Sequence, residues 1–210
     1  MTHDSPRSSE PHAPARKGSA RARMMQVIAA IASFMVRRSH ASYKPVQVGA
    51  AILAGSSLEL GIIPLALLAG GRHVDAVLHL GPLLHDDAAR VSAIVCFVVG
   101  VPWLASSIYW QHRRGDGTPF PLLPTKRLLT DGPYRYCRNP MALGAVFWLA
   151  GWAFLANSPA AIFGGVSVFA ASIFSYHKLI EERELEARFG EAYTRYRTTT
   201  PFLLPMRRKA

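Results

Sequence analysis

Two stretches of this chain place groups capable of chemistry directly beside long apolar runs. The first, Thr125 to Gly144, reads T-K-R-L-L-T-D-G-P-Y-R-Y-C-R-N-P-M-A-L-G and joins a basic, turn-rich loop to a hydrophobic segment. Asn139 followed by Pro140 predicts a helix start, because an Asn side chain accepts a bond from the free N–H groups of a first turn and Pro fits the first helical position. Such an end attracts anions. With Lys126, Arg127, Arg135 and Arg138 close by in sequence, a carboxylate or phosphate could be held there at a membrane surface. The plainer alternative is a positive-inside topology signal followed by an ordinary cap. In the second stretch, His177 and Glu181 are four residues apart and so share a helical face where the last apolar run ends. Glu59 is a further candidate. A carboxylate inside an apolar segment is either functional or a neutral, hydrogen-bonded acid facing the bundle interior.

The elements that must position these groups are membrane helices. Half of the 210 residues are hydrophobic and they are bunched, which predicts spans within one helical bundle instead of several independent cores. The net charge of +11 sits in the tails and one loop, as membrane orientation requires, and no recognised nucleic-acid module accompanies it, so a nucleic-acid partner is not expected. Cys96 and Cys137 lie far apart and define no disulfide framework.

Met1 to Arg23 is rich in Pro, Ser, Ala and Arg and reads as a disordered cytosolic tail. Met24 to Val36 is apolar over only 13 residues with Arg pairs on both sides, which predicts an interfacial helix. Spans are expected at Val46 to Gly71, Val91 to Trp110, Met141 to Asn157 and Ala160 to His177, the last two forming a hairpin across Ser158 and Pro159. Arg72 to Arg90 carries His73, His79, His85, Asp75, Asp86 and Asp87. Histidines at steps of six do not stack on one helical face, so a surface segment is favoured over a metal site. Lys and Arg number eight in residues 1–45, two in 72–90, six in 111–140, none at 157–159 and eight in 178–210. That alternation predicts four spans with both termini in the cytosol. From Lys178 the tail reads as an amphipathic helix with Leu185, Phe189, Ala192, Tyr193 and Tyr196 on one face. The expected fold class is therefore an all-α, polytopic membrane helical bundle with a cytosolic C-terminal amphipathic helix. It divides into a basic tail at 1–45, two spans at 46–110 and a loop, hairpin and tail at 111–210.

The residues G-P-Y-R-Y-C-R-N-P-M-A-L-G, a tight helical hairpin, then E-E-R-E-L-E-A-R-F-G-E-A-Y-T-R-Y and a closing P-F-L-L-P together resemble the integral-membrane family of isoprenylcysteine carboxyl methyltransferases and bacterial phospholipid methyltransferases. The resemblance covers roughly Gly115 to Pro205 and rests on the order and spacing of the pieces. It implies a membrane-embedded, S-adenosylmethionine-dependent methyltransferase acting on a lipid or small amphiphilic acceptor at the cytosolic face of a bacterial inner (plasma) membrane. The cofactor would bind without a Rossmann sheet and without a metal. By position, the family's cofactor segment falls on Lys126, Arg127, Leu128 and Leu129, on Tyr134, on Asn139, Pro140, Met141 and Ala142 with Arg138 just ahead of them, and on Glu181. His177 and Glu181 are the implied catalytic pair.

Departures from the family pattern shape the expected acceptor. Where the family commonly has R-H-P and a Tyr two residues after the Pro, this chain has Asn139 and Ala142, and Ala142 cannot hydrogen-bond. The isoprenylcysteine branch places a substrate-contacting Arg at the position of His177. Loss of that permanent, forked charge argues against a prenylcysteine carboxylate and for a bacterial-type lipid or small amphiphilic acceptor. Two other readings remain open at this point: an NADPH-dependent membrane reductase of the sterol-reductase type, and a non-catalytic membrane scaffold.

Overall fold

A computed structural model of the protein describes residues 16–39, 44–116 and 125–206, and among these every regular element is helical. α1 is Arg16–Ser39. α2 runs through Pro45–Ser57, a π turn at Leu58–Ile62, and Ile63–Val77. α3 is Asp86–Gly115, α4 is Pro140–Leu155, α5 is Ala160–Phe189 and α6 is Glu191–Thr199. A 3₁₀ turn, Gly132–Arg135, lies in the loop between α3 and α4. Three helices, α2 from Val46 to Val77, α3 and α5, are long and apolar enough to cross a membrane. The fourth expected span is the shorter apolar helix α4, with 16 residues. The chain is an all-α bundle of membrane type.

Small residues decide how the bundle packs. Ala89, Ala93, Cys96, Gly100, Leu104 and Ser107 are buried at three- and four-residue steps along α3, which is one face of a helix. That face meets Gly144, Phe147 and Trp148 of α4 in the most extensive helix contact among the described residues. A Cβ on Gly144 would lie 2.6 Å from the Leu104 nitrogen and 2.9 Å from the Gly100 oxygen, so the two backbones touch where small residues allow it. Phe97, Trp148 and Trp152 close the side of this contact, with ring centroids 5.2 to 5.7 Å apart.

Both ends differ from the sequence expectation. Arg16 to Arg23 are helical and continuous with the apolar stretch, so α1 has 24 residues and is not a 13-residue helix behind a structureless tail. Ala, Arg and Lys favour helix, and Ile28, Ala32 and Met35 bury one face of α1, which packs on the last turns of α5. The remainder of that expected tail, residues 1–15, lies outside the described residues, as does most of the G-D-G-T-P-F-P-L-L-P stretch. At the other end, no single amphipathic helix starts at Lys178. α5 continues through Phe189, Gly190 turns the chain at φ +52, and α6 begins as a separate helix. Side chains other than glycine rarely tolerate that backbone, so Gly190 interrupts a helix that apolar periodicity alone would continue.

The end of the bundle remote from the 125–139 loop is closed by side-chain caps. Ser158 donates its hydroxyl proton to the Asp75 carboxylate, and the Ala160 N–H donates to Asp75 at 3.0 Å. Asn157 donates to the Leu84 carbonyl at 2.7 Å and accepts from the Leu84 N–H at 3.0 Å. Asp75, part of the His- and Asp-rich segment, thus caps the start of α5.

Candidate active site

At the loop end of the bundle, α2, α3, α4, α5 and the loop enclose a cavity of about 390 Å³. Of the residues singled out in the sequence, Arg127, Leu128, Leu129, Tyr134, Arg138, Asn139, Pro140, Met141, Ala142, His177 and Glu181 all line it. Lys126 is exposed and does not. Glu59, on the opposite side of the sequence from this cluster, lines the same space from α2.

The irregular loop is held by side chains that reach it from α5 and from the tail. Arg188 pairs with Glu184 at 2.5 Å, both nearly fully buried, and its second nitrogen donates to the Thr125 carbonyl. Arg138 pairs with Glu182, donates to the Thr200 carbonyl at 3.1 Å and reaches the Tyr193 hydroxyl at 3.3 Å. The Arg138 backbone N–H donates to the Pro201 carbonyl at 2.9 Å. Arg138 and Lys178 each lie 5.5 Å from the Phe202 ring centroid. The Tyr196 hydroxyl donates to the Tyr134 carbonyl at 2.6 Å. The P-F-L-L-P segment is therefore a strap across the loop.

Two roles expected from the sequence take a different form. Asn139 does stand at the start of α4 with Pro140 first in the helix, but its side chain does not accept from the first turn. The side-chain amide donates instead to the Phe202 carbonyl at 2.9 Å, because the returning strap brings an acceptor within its reach. The basic loop is also less free to hold an anion than its composition suggests. Arg127 pairs with Asp116 at 3.0 Å and Arg138 with Glu182, while Lys126 and Arg135 are exposed.

α5 opens on a π turn, Ala160–Val166, and His177 and Glu181 sit in a further π turn of the same helix, His177–Glu181. The Glu182 N–H reaches the His177 carbonyl five residues back, which widens the helix locally and re-aims its side chains. His177 Nδ1 bonds to the Glu181 carboxylate. Its Nε2 is buried without a hydrogen-bond partner among the described residues. Adjacent glutamates thus face opposite ways: Glu181 lines the cavity, while Glu182 pairs with Arg138 and, at 2.9 Å, with Lys178.

Gln111, which sequence reasoning passed over, donates to the Tyr134 hydroxyl at 2.5 Å and to the Met141 sulfur at 3.7 Å. It ties α3 to two of the expected cofactor positions. A Gln near the end of an apolar helix was the available signal. Burial pushes the Tyr134 phenol well above its usual range, so its hydroxyl stays neutral and accepts from Gln111 while keeping its own proton. Burial likewise pushes the Cys137 thiol up to about 11 and the Tyr193 phenol up to about 12, which leaves no thiolate or phenolate at neutral pH beside the loop.

Fold and cavity together define a helical membrane protein with an ionisable internal site at one end. The sequence profile of the phospholipid methyltransferase family matches residues 88–192, half of the chain, and the protein belongs to that family. It is by family a membrane methyltransferase, as the resemblance implied. The matched region runs from the first turn of α3 into α6, and α1 and α2 lie outside it. No curated protein matches the chain.

Proposed function

We propose that the protein transfers a methyl group from S-adenosylmethionine to a lipid or small amphiphilic acceptor at the cytosolic face of the membrane. The observation that carries this reading is the convergence of the loop, the start of α4 and the His177–Glu181 pair on one cavity. Its volume of about 390 Å³ falls among those of small-molecule sites. The residues present suit the cofactor: Glu181 and the Tyr134 and Tyr176 rings for its cationic groups, and a buried, unpartnered His177 Nε2 beside them. When bound, the cofactor supplies an electrophilic methyl group on a sulfonium centre.

The chain's own residues then position and deprotonate. Glu181 accepts a hydrogen bond from the Nδ1–H of His177, which leaves the lone pair of Nε2 to take a proton from the nucleophilic atom of the acceptor. Ile52 and Ile63 of α2 with Phe169 and Ile173 of α5 form an apolar wall that excludes water and accommodates an acyl chain. Arg188 and Arg138 act as positioning residues, because each fixes the loop through a buried carboxylate partner and a backbone carbonyl.

Purified full-length protein in lipid nanodiscs, given methyl-labelled S-adenosylmethionine or NADPH, tests the assignment. Label should enter the lipid extract, and His177→Ala should lower that rate at least about tenfold with little change in cofactor affinity. NADPH consumption without lipid labelling would instead identify a reductase, and an alanine variant with the full rate would move the proton acceptor elsewhere. The distribution of Lys and Arg supports placing the 125–139 loop and both termini in the cytosol of a bacterial inner membrane. A cysteine placed at Asp131 should be shielded from impermeant reagent in intact cells and one at Asp86 should react. The reverse pattern would invert the orientation.

A further inference from the structure

The cavity holds a carboxyl group, that of Glu59, with no hydrogen bond or ion pair among the described residues. Of its lining cations, Arg127 pairs with Asp116, Arg138 with Glu182 and Arg188 with Glu184. His177 is engaged by Glu181. Glu59 lines the same cavity, is half-buried, and has no hydrogen bond or ion pair among the described residues. Carboxylates therefore outnumber the cations free to meet them, and the space favours a positively charged occupant.

Backbone geometry marks the same place. Glu59 belongs to the π turn Leu58–Ile62, where the Ile63 N–H reaches the Leu58 carbonyl five residues back. Pro64, which has no N–H, follows immediately, so the regular pattern cannot be completed there and the helix widens. Of the two π turns of α5, Ala160–Val166 does not line the cavity and the other carries His177 and Glu181. The turns at Leu58–Ile62 and His177–Glu181 thus present Glu59, His177 and Glu181 to one cavity, and Glu59 and His177 are close enough to interact electrostatically. His177 is itself more than nine-tenths buried with Nε2 unpartnered, which adds a second polar atom awaiting a ligand.

We infer that Glu59 is an acceptor-recognition residue: its carboxylate binds a cationic hydrogen-bond donor, a protonated amine at the head of an amphiphile, opposite the free Nε2 of His177. This rests on the proposed methyl-transfer reading for the identity of the occupant as acceptor, while the binding itself stands on charge and geometry. The position on α2 separates this group from the loop and α4 residues expected to hold the cofactor. Around Glu59 the α2 wall is mainly apolar, with Ile52, Leu60 and Ile63 lining the cavity beside Ser56, so head and chain of one amphiphile are both accommodated.

The test uses the full-length protein in mild detergent without cofactor, titrated calorimetrically with dodecylammonium and, separately, dodecanoate. The amine should bind and the carboxylate should not. Glu59→Gln should weaken amine binding about tenfold or more, as loss of one charge-assisted bond predicts, and Glu59→Asp, which keeps the charge, should restore part of it. Equal binding of amine by wild type and Glu59→Gln would overturn the assignment. So would a Glu59→Gln variant whose S-adenosylmethionine affinity falls while its amine affinity holds, since Glu59 would then serve the cofactor. Glu59→Asp serves as the folding control should the Gln variant not fold. Glu59-dependent amine binding in a protein that transfers no methyl group would sink the enzymatic reading and leave this inference standing. Methyl transfer to lipid with an unchanged KM in Glu59→Gln would do the opposite.

Discussion

The two ends of the bundle are closed by different physics. At the remote end, a four-residue connection between α4 and α5 is capped by Asp75, Ser158 and the Asn157–Leu84 amide pair, with hydrogen bonds but no buried ion pair among the described residues. At the cavity end, a long loop with one 3₁₀ turn is fixed by two buried Arg–Glu pairs that also bind loop or strap carbonyls. A short connection between packed helices has little entropy left to lose, so caps suffice. The long loop must be ordered from outside, and a guanidinium can bridge a carboxylate and several carbonyls at once.

Breaking the cavity end should cost most. Arg138→Ala leaves Glu182 buried without its main partner and frees the Thr200 carbonyl, with an expected loss of about 3–5 kcal/mol read from thermal unfolding in detergent. Pairing Arg138→Met with Glu182→Leu should recover much of that stability but not the order of the loop, so KM for the cofactor should stay raised. Recovery of both would mean the pair contributes stability only, and the contrast between the ends would disappear.

Between the ends, Gly144→Leu forces the α3 and α4 backbones apart and should destabilise by about 1–3 kcal/mol, measured in the same way. Unchanged stability would show that the two helices are not held at contact distance. Smallest is Asp75→Asn, which weakens a helix cap by about 1 kcal/mol and should leave KM for cofactor and acceptor unchanged. A shift in either KM would couple the remote end to the cavity and blur the distinction drawn above.

Much of this was legible in the sequence because membrane helices announce themselves by composition. The apolar runs, the hairpin at Ser158 and Pro159 and the order of the family motifs follow from local residue types, and so does the grouping of the expected cofactor positions around the start of α4. Periodicity also grouped Tyr193 with Tyr196, and both are buried, whereas Ala192 of the same expected face is exposed and Gly190 breaks the helix that would have carried it.

What the chain could not declare locally is the partner each polar group finds. Asn139 reads as a cap by residue type, yet the strap brings the Phe202 carbonyl to its amide. Glu181 and Glu182 are neighbours of the same type, and only the π turn and the return of the tail send one to the cavity and the other to Arg138. Glu59 and His177 are far apart in sequence, and no spacing rule relates them. Hydrophobic burial depends mainly on what a residue is, so composition fixes it early. Hydrogen bonds and ion pairs depend on distance and direction between particular atoms, and those exist only once the helices have packed.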